Sequence, residues 1–125
     1  RARRFRRMYG GAMRQAGILA AAGIYALERH VARLKTDHEH AKKLARQLQH
    51  LSAIQIAPQH VETNIVIFDI VDEHRSPAEL VAALKEHGVL INAVGGQSYR
   101  AVTHLHITDK QIDEAADVFA NVLKR

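Results

Sequence analysis

The spacing of apolar and polar positions changes character along the chain, and each change predicts a different element. From Met13 to Arg29 the apolar residues, among them Ile18, Leu19, Ile24, Tyr25 and Leu27 set between alanines, point in every direction around a helical axis. A helix that is apolar all round is buried all round. A chain of 125 residues has little mass to bury one that way, so its cover is expected from outside. The stretch is also shorter than the ~20 apolar residues that span a bilayer, which argues against a membrane helix.

From His30 to Leu51 the pattern becomes two-sided. Val31, Leu34, His38, Ala41, Ala45, Leu48 and Leu51 recur at helical spacing, while Arg33, Lys35, Glu39, Lys42, Lys43, Arg46 and Gln47 take the other face. This predicts an amphipathic, solvent-facing helix. Thr36 and Glu39 stand at capping-box spacing and predict a bend near residue 36.

After Leu51 the period shortens. Ile54 and Ile56 alternate with polar or small neighbours before Pro58, the mark of a short edge strand. Asn64 to Val71 is the strongest strand, apolar on both faces apart from Asp69, so cover is expected on both. Ser76-Pro77-Ala78-Glu79 is a helix start with cap, first-position proline and box glutamate, and Gly88 is its stop. Val89 to Asn92 reads as a short strand and Gly95-Gly96 as a mobile loop. In Tyr99 to Ile107, also a strand, Arg100, Val102, His104 and His106 share one face. Thr108 and Gln111 open a last helix whose apolar side is Ile112, Ala115, Ala116, Phe119, Val122 and Leu123. Strands interleaved with helices predict an α+β fold: a small, mostly antiparallel sheet with helices on one face, preceded by a long linking helix. The division expected is residues 1–29, a basic arm, turn and buried helix, and residues 30–125, a small α+β domain.

Charge changes this picture in one place. The net charge is +5, but Arg1, Arg3, Arg4, Arg6, Arg7 and Arg14 all precede the first acid, Glu28, and the remainder carries 12 basic against 13 acidic side chains. The basicity belongs to one arm. Within it, Gly10-Gly11 can turn sharply and leave amides uncovered, and Arg14 falls in the first turn of the helix expected from Met13, where orphan N–H groups favour an anion. A phosphate is the obvious guest; the plainer alternative is a turn followed by a solvated arginine. Cysteine is absent, so disulfides and thiolate metal sites are excluded. The pairs His104/His106 and His38/His40 offer too few ligands for a closed metal site, and no metal is expected.

The run from Arg6 to Glu28, RRMYGGAMRQAGILAAAGIYALE, resembles the segment that follows the cofactor lysine in low-specificity L-threonine aldolases. Glu62-Thr63-Asn64-Ile65-Val66, Gly88-Val89-Leu90-Ile91 and Arg100-Ala101-Val102-Thr103-His104-Leu105 follow in that family's order. The resemblance implies the C-terminal small domain of a pyridoxal-phosphate enzyme of the aspartate-aminotransferase fold type I, cleaving L-threonine or L-allo-threonine to glycine and acetaldehyde. Arg14 matches the arginine that reaches the cofactor phosphate of a neighbouring subunit. Arg7 matches a cofactor-site position often held by lysine, keeping the charge but not the compact ammonium. Ala12 replaces a third glycine. Arg100 matches the arginine that binds the substrate carboxylate; the residues alone suggest instead a strand-end arginine in a surface ion pair.

The resemblance places the Schiff-base lysine upstream, in a large domain that this sequence does not include. None of the lysines present has the apolar setting such a residue needs. The expectation is therefore an inactive piece with no catalytic residue of its own. Its partners would be the missing N-terminal large domain, further copies in a dimer or tetramer, and a small amino acid, in the cytoplasm, without nucleic acid or membrane. The rival reading is a stand-alone oligomerisation or nucleic-acid-binding α+β module gripping through its basic arm.

Overall fold

The computed structural model describes residues 1–71 and 74–124, and the chain divides into two compact units, Arg1–Arg33 and Leu34–Arg125. The first unit holds two helices, α1 (Ala2–Met8) and α2 (Gly17–Arg29). α1 ends in a paired backbone closure: Gly10 N–H donates to the Arg7 carbonyl at 3.3 Å and Gly11 N–H to that of Arg6 at 2.7 Å, with Gly10 at φ 76°. A Cβ on Gly11 would lie 2.7 Å from Arg6 Cγ and 2.9 Å from its carbonyl oxygen, so no side chain fits there. Two glycines in succession are what this helix end requires.

α2 starts later than its apolar pattern suggests. Residues 14–16 form a turn and Gln15 takes φ 54°, a left-handed angle that a helix cannot contain, so the helix begins at Gly17 rather than Met13. Arg14 consequently precedes the helix and is not in its first turn, and the linking helix is only 13 residues long. No residue of α2 is buried; Ile18 is 83% and Leu27 71% exposed. The unit has no layer with which to cover this helix.

The second unit is a four-stranded antiparallel sheet with helices on one face. In chain order it comprises α3 (Leu34–Leu48), β1 (Ile54–Gln55), a 3-10 turn at Pro58–His60, β2 (Ile65–Ile70), α4 (Pro77–Glu86), β3 (Asn92–Gly95), β4 (Ser98–Val102) and α5 (Asp109–Leu123). The strands lie in the order β1-β2-β4-β3. Alternation along β2 and β4 sends Val66, Phe68, Ile70, Tyr99 and Ala101 into a core closed by Leu44 and Leu48 of α3, Leu80 and Leu84 of α4, and Ile112 and Phe119 of α5. Phe68 stands edge-on to Phe119, ring centroids 5.6 Å apart, and stacks on Tyr99 at 6.1 Å.

Two helix starts follow the sequence expectation closely. Ser76 with Glu79 and Thr108 with Gln111 each form a complete capping box, the side chain of one member bonding the backbone of the other in both directions. Other elements depart from it for identifiable reasons. The two-sided helix runs from Leu34, after a turn at residues 31–33, so Thr36 lies inside it instead of marking a bend. Its buried face carries Asp37, His40 and Leu44, whereas Val31 and Leu34 are exposed and His38 is only partly covered.

The strand expected at Val89–Asn92 begins at Asn92, because Gly88 and Val89 amides are spent closing α4 on the Lys85 and Leu84 carbonyls. Gly95 belongs to β3, and residues 96–97 form the tight turn of a β3–β4 hairpin where a mobile loop was expected. β4 stops at Val102 and does not continue to Ile107. Thr103 explains the stop. Its hydroxyl donates to the Asp37 carbonyl at 2.6 Å, its N–H to Asn64 O at 3.0 Å, and its carbonyl accepts from Asn64 Nδ2 at 2.7 Å, which ties the strand end to α3 and β2. Finally, β2 is covered on one face only: Ile65 is 43% and Ile67 50% exposed. The helices occupy one side of the sheet, and the described residues of this unit place nothing on the other.

Candidate functional site

Two places carry the sequence candidates, one in each unit. In the first, Arg7 sits in the last turn of α1 and Arg14 in the turn before α2, both exposed. The amides of Gly10 and Gly11 are not uncovered as expected, since they close α1. The free donors lie further on. The cap position of α2 is Ala16, which offers no side-chain acceptor, and the helix ladder begins only with Ala20 N–H to Ala16 O. The amides of Gly17, Ile18 and Leu19 thus form an uncapped positive helix end a few residues after Arg14. No acid precedes Glu28 to neutralise it. Gln15, held at φ 54° between Arg14 and the helix, is the one non-glycine with a positive φ among the described residues, a strained link of the kind found where a side chain must be aimed.

The second place is the open face of the sheet. β4 is an inner strand, so Arg100 has a cross-strand neighbour on each side: Ile67 of β2 and Asn92 of β3. The next rung pairs Ile65 with Val102, both exposed, and the rung beyond Arg100 pairs Asp69 with Ser98. Asp69 is the acid that strand spacing brings diagonally near Arg100, yet its carboxylate accepts from the Ser98 hydroxyl. The Arg100 side chain has no hydrogen-bond or ion-pair partner among the described residues, so the surface ion pair weighed from sequence is formed with none of them. A guanidinium standing free on an apolar face is suited to a planar anion.

The histidines do something more modest. His104 and His106 lie in the turn after β4, outside any strand, with His106 N–H donating to His104 Nδ1 at 3.3 Å and the rings edge-on at 5.8 Å. His40 is buried in α3, its Nε2 3.8 Å from an Asp109 carboxylate oxygen. Among the described residues no group of three or more His, Cys, Asp or Glu could hold a metal. The lysines lie on helices or, for Lys124, at the end of one; Lys35, Lys43 and Lys110 are engaged with Glu39, with Asp109 and Asp113, and with Glu114. Bonds from Asp113 and then Asp109 raise the Lys43 pKa, the reverse of what a nucleophilic amine needs. Asn92 was not singled out from sequence, where it closes a short apolar run; only the register reveals it as the neighbour of Arg100.

The matches to known proteins cover both units. The family model described as beta-eliminating lyase matches residues 1–73. The chain is 45% identical over 116 residues to the low specificity L-threonine aldolase of Escherichia coli K12, covering 93% of this chain and 33% of that protein. It is 34% identical over 124 residues to low-specificity L-threonine aldolase 1 of Arabidopsis thaliana, covering 98% of this chain and 35% of the relative. The probable low-specificity L-threonine aldolase of Schizosaccharomyces pombe is 30% identical over 125 residues, with 100% and 29% covered. The chain thus spans about a third of the length of these curated relatives. No helix among the described residues is long and apolar enough to cross a membrane. With more than half of its length matched by the family model, the chain belongs to the beta-eliminating lyase family.

Proposed function

We propose that this chain is the C-terminal part of a pyridoxal-phosphate-dependent aldolase that cleaves L-threonine or L-allo-threonine to glycine and acetaldehyde, working in the cytoplasm as a dimer or tetramer. The observation that carries the reading is the 45% identity along 93% of the chain to a protein of that name. The two free arginines give it chemical content.

The donors in the first unit suit a phosphate dianion. Arg14 and Arg7 are exposed in a stretch without acids, and the α2 amides beside Arg14 have no side-chain cap. When bound, pyridoxal phosphate supplies an electron sink joined to the amino acid, so that the Cα–Cβ bond can break. Arg14, with Arg7, would hold its phosphate, in the site of a neighbouring subunit. Arg100 grips the substrate α-carboxylate with its fork and fixes which bond of the α-carbon is aligned for cleavage. Once covered, the apolar surroundings of Ile65, Ile67 and Val102 exclude water and strengthen that grip. No side chain of this chain is assigned the proton transfers or the covalent bond to the cofactor; these belong to a large domain outside it, which also covers α2. On this reading the 125-residue chain alone should show no turnover.

The test uses the full-length polypeptide loaded with cofactor. Glycine binding is read from the cofactor's absorption. Arg100→Ala should weaken glycine about ten- to a hundredfold, the loss of charge-assisted bonds worth ~1.5–3 kcal/mol. Arg14→Ala should leave glycine recognition intact but lower cofactor retention on dialysis about tenfold. Full glycine affinity and turnover in both variants would overturn the reading.

A further inference from the structure

Arg100 is flanked asymmetrically. On one side the register sets Ile67, which has no polar atom to offer, and on the other Asn92, an exposed carboxamide on the edge strand. Directly opposed residues of an antiparallel pair bring their Cβ atoms to about 4.5–5.5 Å, so the amide and the guanidinium share one patch of the open face. Their register is fixed by the tight β3–β4 hairpin, in which Gly95 and Gly96 adopt φ 138° and 54° and a shift between Ala93 and Gly95 absorbs the turn. Neither the Asn92 nor the Arg100 side chain has a hydrogen-bond partner among the described residues.

A carboxylate has about four lone-pair positions, and a guanidinium fork occupies two. Those remaining must face water or a second donor. On this face Asn92 is the neutral donor placed beside the fork, and it stands on one side only. We infer that Asn92 is a second contact for the substrate α-carboxylate: its amide N–H donates to an oxygen that Arg100 already holds, and the one-sided contact sets the rotation of the carboxylate about its bond to the α-carbon. This rests on the role proposed for Arg100.

The experiment measures glycine and glycinamide binding to the full-length, cofactor-loaded protein through the cofactor's absorption, in Asn92→Ala, Asn92→Asp and Arg100→Ala variants. Asn92 is exposed on an edge strand, so both of its variants retain the core. Asn92→Ala should weaken glycine about three- to tenfold, as for one lost hydrogen bond. Asn92→Asp should weaken it more than Asn92→Ala does, because a carboxylate opposite Arg100 takes the fork for itself. Glycinamide, whose single neutral carbonyl oxygen cannot take the fork on two oxygens, should lose less than glycine in each of these variants. A change in strand packing would instead weaken both ligands alike and overturn the inference. So would unchanged glycine affinity in Asn92→Ala, or an Asn92→Asp variant no weaker than it. If Arg100→Ala loses glycine while the Asn92 variants do not, this inference alone falls; if Arg100→Ala keeps it, the role of Arg100 falls as well.

Discussion

The two units are both rich in apolar residues but use them differently. In the second, apolar positions on α3, α4, α5 and one sheet face meet one another, and Leu48, Phe68, Ile70, Leu80, Leu84, Tyr99 and Phe119 are all but sealed from solvent. In the first, α2 is at least as apolar, yet none of its side chains is buried. Closure of the helices differs in the same way. The second unit uses side-chain boxes at Ser76 and Thr108, whereas the first closes α1 by backbone alone through Gly10 and Gly11 and leaves the start of α2 without a cap. One unit closes a core of its own, leaving one sheet face open. The other buries no side chain of α2 and keeps an apolar surface and uncommitted donors available.

The sharpest way to break that comparison is truncation of a core side chain. Phe119→Ala should cost about 3–5 kcal/mol in urea unfolding of residues 34–125, because its ring is fully buried against Phe68 and the hole cannot collapse. Leu27→Ala in the 125-residue chain should leave the unfolding midpoint within about 0.5 kcal/mol, since nothing in the unit packs on it. In the full-length protein the same Leu27 change should become costly. Equal effects of the two changes in the short chain would erase the distinction between the units. A smaller effect is expected at a helix start: Thr108→Ala removes the acceptor for Gln111 N–H and should cost about 1 kcal/mol, read from the same titration.

What could be read from sequence follows the same line. The boxes at Ser76/Glu79 and Thr108/Gln111 were legible from local spacing, which misled at Thr36/Glu39, where the helix has already begun at Leu34. The buried side of α5 was legible too, because its period is unbroken. The start of α2 was not, since its apolar pattern runs on through a turn where Gln15 turns left-handed, and no composition signal marks that angle. β3 was misplaced by three residues because the amide of Val89, a good strand former, is taken by the closure of α4. β2 looked covered on both faces because Ile65 and Ile67 are apolar; sequence reports that a face is made for burial, not which chain provides the cover. At the candidate site Arg100 was named by resemblance, but that Asp69 accepts from Ser98, and that Asn92 stands opposite Arg100, depend on register. Pairing between strands distant in sequence is invisible to a single-chain pattern.

The smallest effect expected concerns how the second unit ties α3 to α5 at its surface. Lys43 Nζ donates to Asp113 at 2.9 Å and to Asp109 at 3.2 Å, Gln47 Nε2 donates to Asp113 at 2.7 Å, and His40 stands 3.8 Å from Asp109. The bond from Lys43, then that from Gln47, holds the Asp113 carboxyl below its ordinary range, and the Asp113 bond chiefly raises Lys43. A depressed carboxylate pKa contributes stability that is complete above the unfolded value, about 4, and is lost as pH falls through the folded one. A raised lysine pKa contributes stability that is complete below about 10.5 and is lost as pH rises through the folded value. The link should therefore be flat across neutral pH and fail at both ends. Because these side chains are partly exposed, salt should weaken it and its loss should cost less than that of a helix cap. Asp113→Asn in residues 34–125 should lower the urea midpoint slightly at pH 7, and the difference from the parent should close below pH 4 as the parent's own carboxyl protonates. A gap of the same size at pH 3 and pH 7 would mean that the side chain acts through packing rather than charge. The second unit would then owe its closure to the core and the capping boxes alone.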